Sequence, residues 1–583
     1  MTSLAKKLSG IVGDVFAGEG LPAELGLVRV SDRPDLCQFQ CNGAMAAARF
    51  KVPNNTDGVA SGAKKNPREI AQGIVDILGG MEMFQKVDIA GPGFINLDVT
   101  DAYLAAHIAE IAADEHCGVV RCGANKTAVL DYGGPNVAKP MHVGHLRSSI
   151  IGDALRRMMV AAGYRAIGDV HMGDWGTPMG MILSELDIIG HEGDVTMAQL
   201  AEIYPRAAGD CKADPARMEA ARAATKKLQD GDAEYTRRWR QFIDISIAGM
   251  KANFDALGVH FDEWKGEADA HPFIAGMVEG FQEKGIARKS DGALIVDVAQ
   301  EADKKEIPPL ILLKSDGAVM YSTTDLGTII DRVEAYDPDV IVYVVDQRQS
   351  LHFEQVFRAS RLGGLVDEAR PDLVFAGFGT MNGTDGKPFK TRAGGVMRLE
   401  DLIAQGVDKA QARLAEADLS DAIDDAERAD IARKVGLAAI KFADLSNQRQ
   451  SDYVFDLDRM TSFEGKTGPY LLYQAVRIES LLEKAGGGIQ GAIIAEDTNR
   501  SVLLVLAELA DCFDTALANY TPHVLCDYAY RLAQAFSSFY AACPILSEED
   551  EALRSSRLAL CALVRRQLVF VLGLLGIQVP ARM

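Results

Sequence analysis

A chain of 583 residues is too long for one ordinary domain and has room for about three or four. Hydrophobic residues make up 48% and charged residues 25%, the balance of a globular protein with filled cores, which excludes a disordered or fibrous chain. The formal net charge of −21 argues against indiscriminate nucleic-acid binding, which rests on phosphate neutralisation by basic residues. It leaves room for a selective RNA met through local basic patches, with the acidic remainder rejecting RNA that docks wrongly.

The opening stretch, MTSLAKKLSGIVGDVF, alternates polar and apolar residues at helical spacing. It lacks the apolar block and cleavage site of a signal peptide. No apolar run reaches the roughly eighteen residues a membrane helix needs, so no membrane span is expected and the cytoplasm is the expected compartment. The nine cysteines fit a reducing compartment. Cys37 and Cys41 are four apart and Cys117 and Cys122 five apart, neither a Cys-x-x-Cys pair, so no protein-bound zinc is expected.

Residues 1 to about 118 read as a small α/β unit. In NPREIAQGIVDIL, Asn66 is placed to cap a helix with Pro67 at its first position. KVDIAGPGFINLDV reads as two strands around a Gly-Pro-Gly turn, and DEHCGVVRCGANK as a linker. TAVLDY, residues 127–132, is a short apolar strand broken by GGPN. A helical pattern then starts near His142, and YRAIGDV is a second strand. Strand, Gly-rich turn, helix, strand is the opening of a parallel doubly wound sheet.

From about 190 to 255 the chain is rich in Ala, Lys, Arg and Glu at helical spacing, which predicts a helical insertion. ARKSDGALIVDV and LILLKSDGAVMYST read as hairpins with Asp-Gly turns at 291–292 and 316–317. After them the βα alternation resumes: TTDLGTIIDRVEAY is helix, VIVYVVD strand, LHFEQVFRASRLGG helix and DLVFAGFG strand. From about 397 to 583 the pattern is helical, with no convincing strand.

Two segments carry chemistry. His142 and His145, at i and i+3 on a helix start, share a face, and free N–H groups at a helix N-terminus attract anions. Two imidazoles there suit the charge on a phosphate transition state, and Gly144 leaves room for a planar base against the backbone. Two histidines that merely cap a helix would read the same, and no third ligand close in sequence supports a zinc site. About 250 residues downstream, MNGTDGKPFKTRAGG gathers Lys387, Lys390 and Arg392 among glycines. A mobile loop of that charge suits a triphosphate and its departing pyrophosphate, although a solvated basic loop has the same composition. A Walker P-loop is excluded: Gly465-Lys466-Thr467 has Met460 where the earlier glycine belongs.

DYGGPNVAKPMHVGHLRSSIIGDALRR resembles the signature of arginyl-tRNA synthetases, within the class I aminoacyl-tRNA synthetases. The class motif His-x-Gly-His stands as His142-Val143-Gly144-His145. KPFKT, Lys387 to Thr391, stands where the class has Lys-Met-Ser-Lys-Ser and keeps both lysines; DGKPFKTRAGG is similar to the bacterial form of the arginyl branch. HMGDWGTPMG, YSTTDLGTIIDR, DQRQSLHFEQV, FEGKTGPYLLYQAVR and the terminal ARM resemble that branch too, so the likeness covers essentially the whole chain.

The resemblance implies a class I Rossmann-like α/β nucleotide-binding catalytic domain over 119–396, interrupted by helical and hairpin insertions. It also implies a small N-terminal α/β domain over 1–118 that meets the tRNA elbow, and a helical anticodon-binding bundle over 397–583. It implies activation of L-arginine with ATP and Mg²⁺ to arginyl adenylate, then transfer to the terminal adenosine of tRNA(Arg). His142, Gly144 and His145 would bind ATP, with Lys387 and Lys390 on the triphosphate and Lys139 adding charge. Asp325 and Tyr321 would hold arginine's guanidinium, which suits carboxylates in a forked geometry. Asp131 (where the family often has Glu) also belongs to the arginine site, and Asn136 and Gln349 would hold the amino and carboxylate groups or the side chain, with Gln347 competing for the role of Gln349. Arg565 and Arg566 are candidates to face RNA, while Tyr473 and Arg477 fall in a family motif without an assigned contact. The family also implies a monomer that needs tRNA before it activates arginine. A class I synthetase for another amino acid is the alternative.

Overall fold

The computed structural model describes residues 2–50, 66–383, 385–387, 397–416, 424–486 and 491–583. Its centre is a five-stranded parallel sheet in the order Asp372–Phe375, Val340–Tyr343, Thr127–Asp131, Arg165–Met172, Glu263–Gly266. Val340–Tyr343 is buried along its whole length and Thr127–Asp131 nearly so, because helices cover both faces; hence their continuous apolar composition. Leading away from Thr127–Asp131, later strands add first on one side and then on the other. The strand order therefore reverses between Thr127–Asp131 and Val340–Tyr343, and the crevice beyond their carboxyl ends is where doubly wound sheets bind ligands.

The sequence reading of this core holds element by element. Leu146–Ala161 crosses from Thr127–Asp131 to Arg165–Met172, and Tyr321–Tyr336 and Ser350–Leu362 precede the last two strands. The insertion is helical, with Met197–Ala213, Pro215–Gln229 and Ala233–Leu257. Ala287–Ser290 and Ala293–Val296 form a hairpin whose turn residues Asp291 and Gly292 both have positive φ, the type that matches strand twist. The second expected hairpin differs. Leu310–Leu313 pairs mainly with Ala293–Val296, and the Asp316-Gly317 turn closes a single bridge from Leu313 to Val319. The short stretch before the helix at Tyr321 gains more by joining an existing strand than by forming a two-stranded ribbon.

In the N-terminal unit, Phe84–Ala90 and Phe94–Val99 flank the Gly-Pro-Gly turn within a four-stranded antiparallel sheet. Asn66 caps Pro67–Leu78 reciprocally: its side chain accepts from the Glu69 N–H at 2.9 Å, and the Glu69 carboxylate accepts from the Asn66 N–H at 3.1 Å. This unit docks on the C-terminal helices. Arg566 donates to the carbonyls of Ala112 (2.9 Å) and Ile111 (2.8 Å), closing the C-terminal end of Asp101–Ala113, while Arg500 bonds Asp101 and the Val99 carbonyl. Arg565 pairs with Glu479 at 2.6 Å. The two arginines considered for RNA are thus engaged within the protein, a role their helical spacing does not reveal. Among the described residues of the C-terminal region the one strand is Tyr453–Val454, which pairs with Met381–Asn382.

One buried cation holds the carboxyl edge of the sheet. Arg332, on Tyr321–Tyr336, donates to Asp131 at 2.7 Å and to Asp169 at 2.6 Å, and Asp131 and Asp169 are register partners on adjacent strands. Its side chain is 1% exposed. Removing one partner of such a group leaves buried charge unpaired, so Arg332→Met is expected to destabilise this unit by about 3–5 kcal/mol. Urea unfolding followed by tryptophan fluorescence reads this, because Trp175, Trp239 and Trp264 all lie in this region. An unshifted midpoint would mean that the two carboxylates need no counter-charge.

Candidate active site

The crevice at the switch point holds a cavity of about 640 Å³. Its walls include Gly133, Gly134 and Asn136 after the strand Thr127–Asp131, the segment His142 to His145 at the next helix start, and Asp346, Arg348 and Gln349 after Val340–Tyr343. Ser148 fixes the helix to both strand ends: its hydroxyl accepts from the Gly133 N–H at 2.8 Å and donates to the Val344 carbonyl at 2.6 Å.

The two histidines lie on a tight 3-10 turn, Val143–His145, that leads into Leu146–Ala161. Their ring centroids are 4.1 Å apart. Each Nδ1 accepts a backbone N–H at 3.0 Å, His142 from Gly144 and His145 from His142. A backbone N–H can only donate, so His142 carries its proton on Nε2, whereas His145 Nδ1 also lies 3.2 Å from the His142 carbonyl, a contact it makes only as a donor. Burial and then the Lys139 ammonium hold His142 below the ordinary imidazole value; burial, His142 and Lys139 push His145 down to about 3. Both rings are neutral at physiological pH and serve as hydrogen-bond donors at a helix start. A Cβ on Gly144 would come within 2.8 Å of the His142 ring, so glycine here makes room for that ring, besides lining the cavity.

The segment after the basic loop pairs with this turn. Met381–Asn382 pairs with Tyr453–Val454, and on its return Met397 accepts from the Val143 N–H at 3.1 Å while the Leu399 N–H donates to Met141 at 3.1 Å. His142 and Arg398 form a bridge between the two segments. Lys387 is exposed on a turn in which the Gly383 N–H donates to its carbonyl at 2.7 Å. Lys390 and Arg392 lie outside the described residues. Lys139 stands over the Tyr204 ring at 4.3 Å, close enough to the histidines to depress both.

The residues read as an amino-acid pocket fall into three places. Asn136 and Gln349 line the cavity, while the Gln347 side chain packs against Gly377, where a Cβ would meet its Oε1 at 2.4 Å. Asp131 sits behind the cavity, held by Arg332. Tyr321 and Asp325, at i and i+4 on Tyr321–Tyr336, lie in an acidic recess. Asp325 meets His352 Nε2 at 2.5 Å. Glu267, at the first position of the helix Glu267–Glu283, is pushed up to about 8 by burial and by the charges of Asp174 and Asp325. Asp174 is pushed up to about 6 by burial and by Asp269, although it also accepts the Ala268 N–H at 3.0 Å. Burial, Glu267 and Tyr204 raise the exposed Tyr321 phenol. Arg332 offsets Asp131 and Asp169, whereas Glu267 feels both Asp174 and Asp325, and among the described residues no arginine or lysine forms an ion pair with these three. Such a recess suits a cation, and a guanidinium best of all.

Glu267 and Asp174 carry no assigned role in the sequence reading. Asp174 and His352 lie inside HMGDWG and DQRQSLHFEQV, so the motifs contained a signal. Glu267 lies in WKGEADA, where its one hint is a carboxylate at a helix start directly after a strand. Among the described residues no three metal-ligating side chains converge.

Comparison with known proteins gives one answer along the chain. Residues 107–457 match the family described as tRNA synthetases class I (R), catalytic domain; residues 471–583 match the DALR anticodon binding domain; residues 2–99 match the arginyl tRNA synthetase N terminal domain. The arginine–tRNA ligase of Maricaulis maris (strain MCS10) is 49% identical and that of Alkaliphilus oremlandii (strain OhILAs) 46% identical, each alignment spanning 100% of both chains. The crystal structure of arginyl-tRNA synthetase from Plasmodium falciparum matches with a TM-score of 0.83 at 24% identity, and the Thermus thermophilus enzyme with 0.81 at 22%, again over 100% of both chains. At those identities the structural likeness is one of fold.

The acidic recess has a pH signature. A carboxyl whose value rises from 4.5 to about 8 holds its proton in the empty site at neutral pH. A bound cation favours the ionised form, so binding expels the proton and tightens as pH rises towards about 8. The same sign governs stability: Glu267 favours the folded state less as pH climbs from 4.5 through about 8. Calorimetric titration with L-arginine should show affinity rising over this range with proton release. Glu267→Gln should abolish the slope and lose about 1.5–3 kcal/mol of binding, the worth of a hydrogen bond to a charged group. A flat profile in the unaltered protein would remove Glu267 from the ligand site.

Proposed function

The chain belongs to the arginyl-tRNA synthetases, and from that premise we propose how its residues divide the work. Its activity is arginine–tRNA ligation: arginine is activated with ATP and joined to tRNA. The observation that supports the division best is the pairing of Met141–Val143 with Met397–Leu399, which sets the histidine turn and the return of the lysine loop on one cavity.

ATP lies in that cavity with its phosphates at the histidine turn. The Nε2–H groups of His142 and His145 donate to the α-phosphate as arginine's carboxylate attacks it. The bond to the β-phosphate breaks and its electron pair leaves with pyrophosphate, whose negative charge is drawn towards Lys387 and Lys390, while Lys139 adds positive potential. No protein nucleophile takes part, so catalysis consists of positioning and charge stabilisation. Mg²⁺ enters with its triphosphate as MgATP. The carboxylate on the cavity wall, Asp346, is forked by Arg348 at 2.8 and 2.7 Å and would meet such a metal with its remaining lone pairs.

Asp325 and Glu267 hold the guanidinium with Tyr321 beside it, and Asn136 and Gln349 hold the amino and carboxylate end. Asp131 contributes through Arg332, as part of the wall. The arginyl group then passes to the terminal adenosine of tRNA(Arg). Of the outer regions, 1–118 meets the tRNA elbow and 397–583 the anticodon. A recess of about 230 Å³ among the C-terminal helices is lined by Tyr473, Arg477, Tyr540 and Met583, and Arg477 stacks on Tyr540 at 4.0 Å. Aromatic faces and a planar cation suit an unstacked RNA base. The working state is a single chain in the cytoplasm, since both ligand sites are built from one chain; no described helix is long and apolar enough to cross a membrane.

Amino-acid-dependent exchange of pyrophosphate into ATP tests the reading. Exchange is expected with arginine and only with tRNA present, because RNA completes the site. His145→Asn should slow it about 10²–10³-fold, the usual loss for one transition-state donor. Asp325→Asn should impair arginine use far more than ATP use; equal losses would mean that the guanidinium sits elsewhere. Tyr473→Ala should weaken tRNA binding by about 1–3 kcal/mol and leave the KM values for arginine and ATP unchanged. Exchange with another amino acid would keep the class and overturn the acidic recess as a guanidinium site.

A further inference from the structure

The cavity and the C-terminal helices meet at one buried ion pair. Arg147 stands two residues after His145, on the first turn of Leu146–Ala161, and reaches the cavity wall. Its Nη1 donates to the carbonyls of Gly379 at 2.6 Å and Ser451 at 3.0 Å. Each carbonyl lies two residues before its strand, Met381–Asn382 or Tyr453–Val454, from whose pairing the lysine loop departs. Its Nε faces Asp444 Oδ2 at 3.1 Å, with side chains 3% and 0% exposed. The guanidinium also lies over the rings of Tyr453 (5.0 Å) and Phe378 (5.8 Å). Asp444 belongs to Asp425–Leu445, which packs on Leu399–Glu416 and Gly468–Lys484. One side chain therefore touches the histidine helix, both strands at the loop root and the C-terminal helices. Arg449 reinforces the root by donating to the carbonyls of Gly377 and Tyr520.

An ion pair is a costly way to fill such a position, since packed apolar side chains would avoid the desolvation; pairs of this kind are best attested where they set register or switch. The Asp444 carboxylate draws on Arg147 and on the Tyr453 hydroxyl together, so the helix Asp425–Leu445 is tied both to the guanidinium and to the second strand at the loop root. A displacement of Asp425–Leu445 therefore draws on the guanidinium while the two Nη1 bonds carry that pull into the loop root.

We propose that Arg147 is a positioning residue which, through Asp444, passes the placement of the C-terminal helices to the root of the lysine loop, coupling tRNA docking to arginine activation. This rests on the ligase reading. The test is Asp444→Asn in the full chain, which keeps shape and removes the charge, with tRNA affinity and pyrophosphate exchange measured side by side. The expected result is unchanged tRNA affinity, a tRNA stimulation of exchange reduced about tenfold or more, as for a typical coupling between sites, and a raised KM for ATP with RNA bound. Unchanged stimulation, or stimulation and tRNA affinity falling in parallel, overturns it. Should that variant fail to fold, Arg147→Lys keeps the charge but, with one nitrogen in place of the guanidinium fork, cannot hold the two carbonyls and face Asp444 at once, and the same losses are expected. Unaltered protein that exchanges equally well without tRNA overturns the coupling and leaves the ligase reading; no arginine-dependent exchange at all overturns the ligase reading itself.

Discussion

Buried charge at the carboxyl edge of the sheet organises this molecule. Asp131 and Asp169 end adjacent strands, and two carboxylates there cannot both stay ionised without a cation. Arg332 supplies it from the helix Tyr321–Tyr336, with its guanidinium bonded to both. That helix is thereby fixed in rotation, and Asp325, seven residues earlier, falls on the same side. The carboxyl groups beyond the reach of Arg332, those of Asp174, Glu267 and Asp325, keep no such counter-charge, and crowding lifts Glu267 towards its protonated form. The interaction that secures the fold also decides which carboxylates it neutralises.

The nucleotide side follows a different logic. Here the protein presents neutral donors and keeps its cations on a loop. The histidines are held neutral by burial and by Lys139, so they do not bind anions as charges. Their rings are held in orientation instead, because each Nδ1 meets backbone polar groups. Donors fixed in this way need no reorganisation when charge develops on a phosphate, the condition for strong electrostatic stabilisation.

The outer regions are joined to each other as well as to the centre. Arg566 and Arg500 bind the N-terminal unit to the C-terminal helices, and Arg147 and Arg449 bind those helices to the loop root. Arginine suits all four positions, since one planar fork can satisfy several carbonyls or carboxylates at once. An acidic chain of net charge −21 thus places several of its cations at internal junctions.

Local pattern was enough to read the parallel core, the helical insertion, the capping of Pro67–Leu78, the Asp291-Gly292 hairpin and the two motifs with their histidines and lysines. Periodicity, turn chemistry and motif spacing are properties of neighbouring residues, and the chain states them directly. What it does not state are contacts between residues far apart along it. Arg332 meets Asp131 across about two hundred positions, and nothing near either residue marks the partnership. Arg566 reads as a surface arginine until Asp101–Ala113 is brought against it. Glu267 looks like an ordinary helix-start carboxylate until burial and two further acids raise its proton affinity. Sequence therefore determined which side chains could act and which segments would be strand or helix. Tertiary structure alone decided which carboxylates are neutralised and which stay open, because desolvation and charge pairing depend on distance in space rather than separation along the chain.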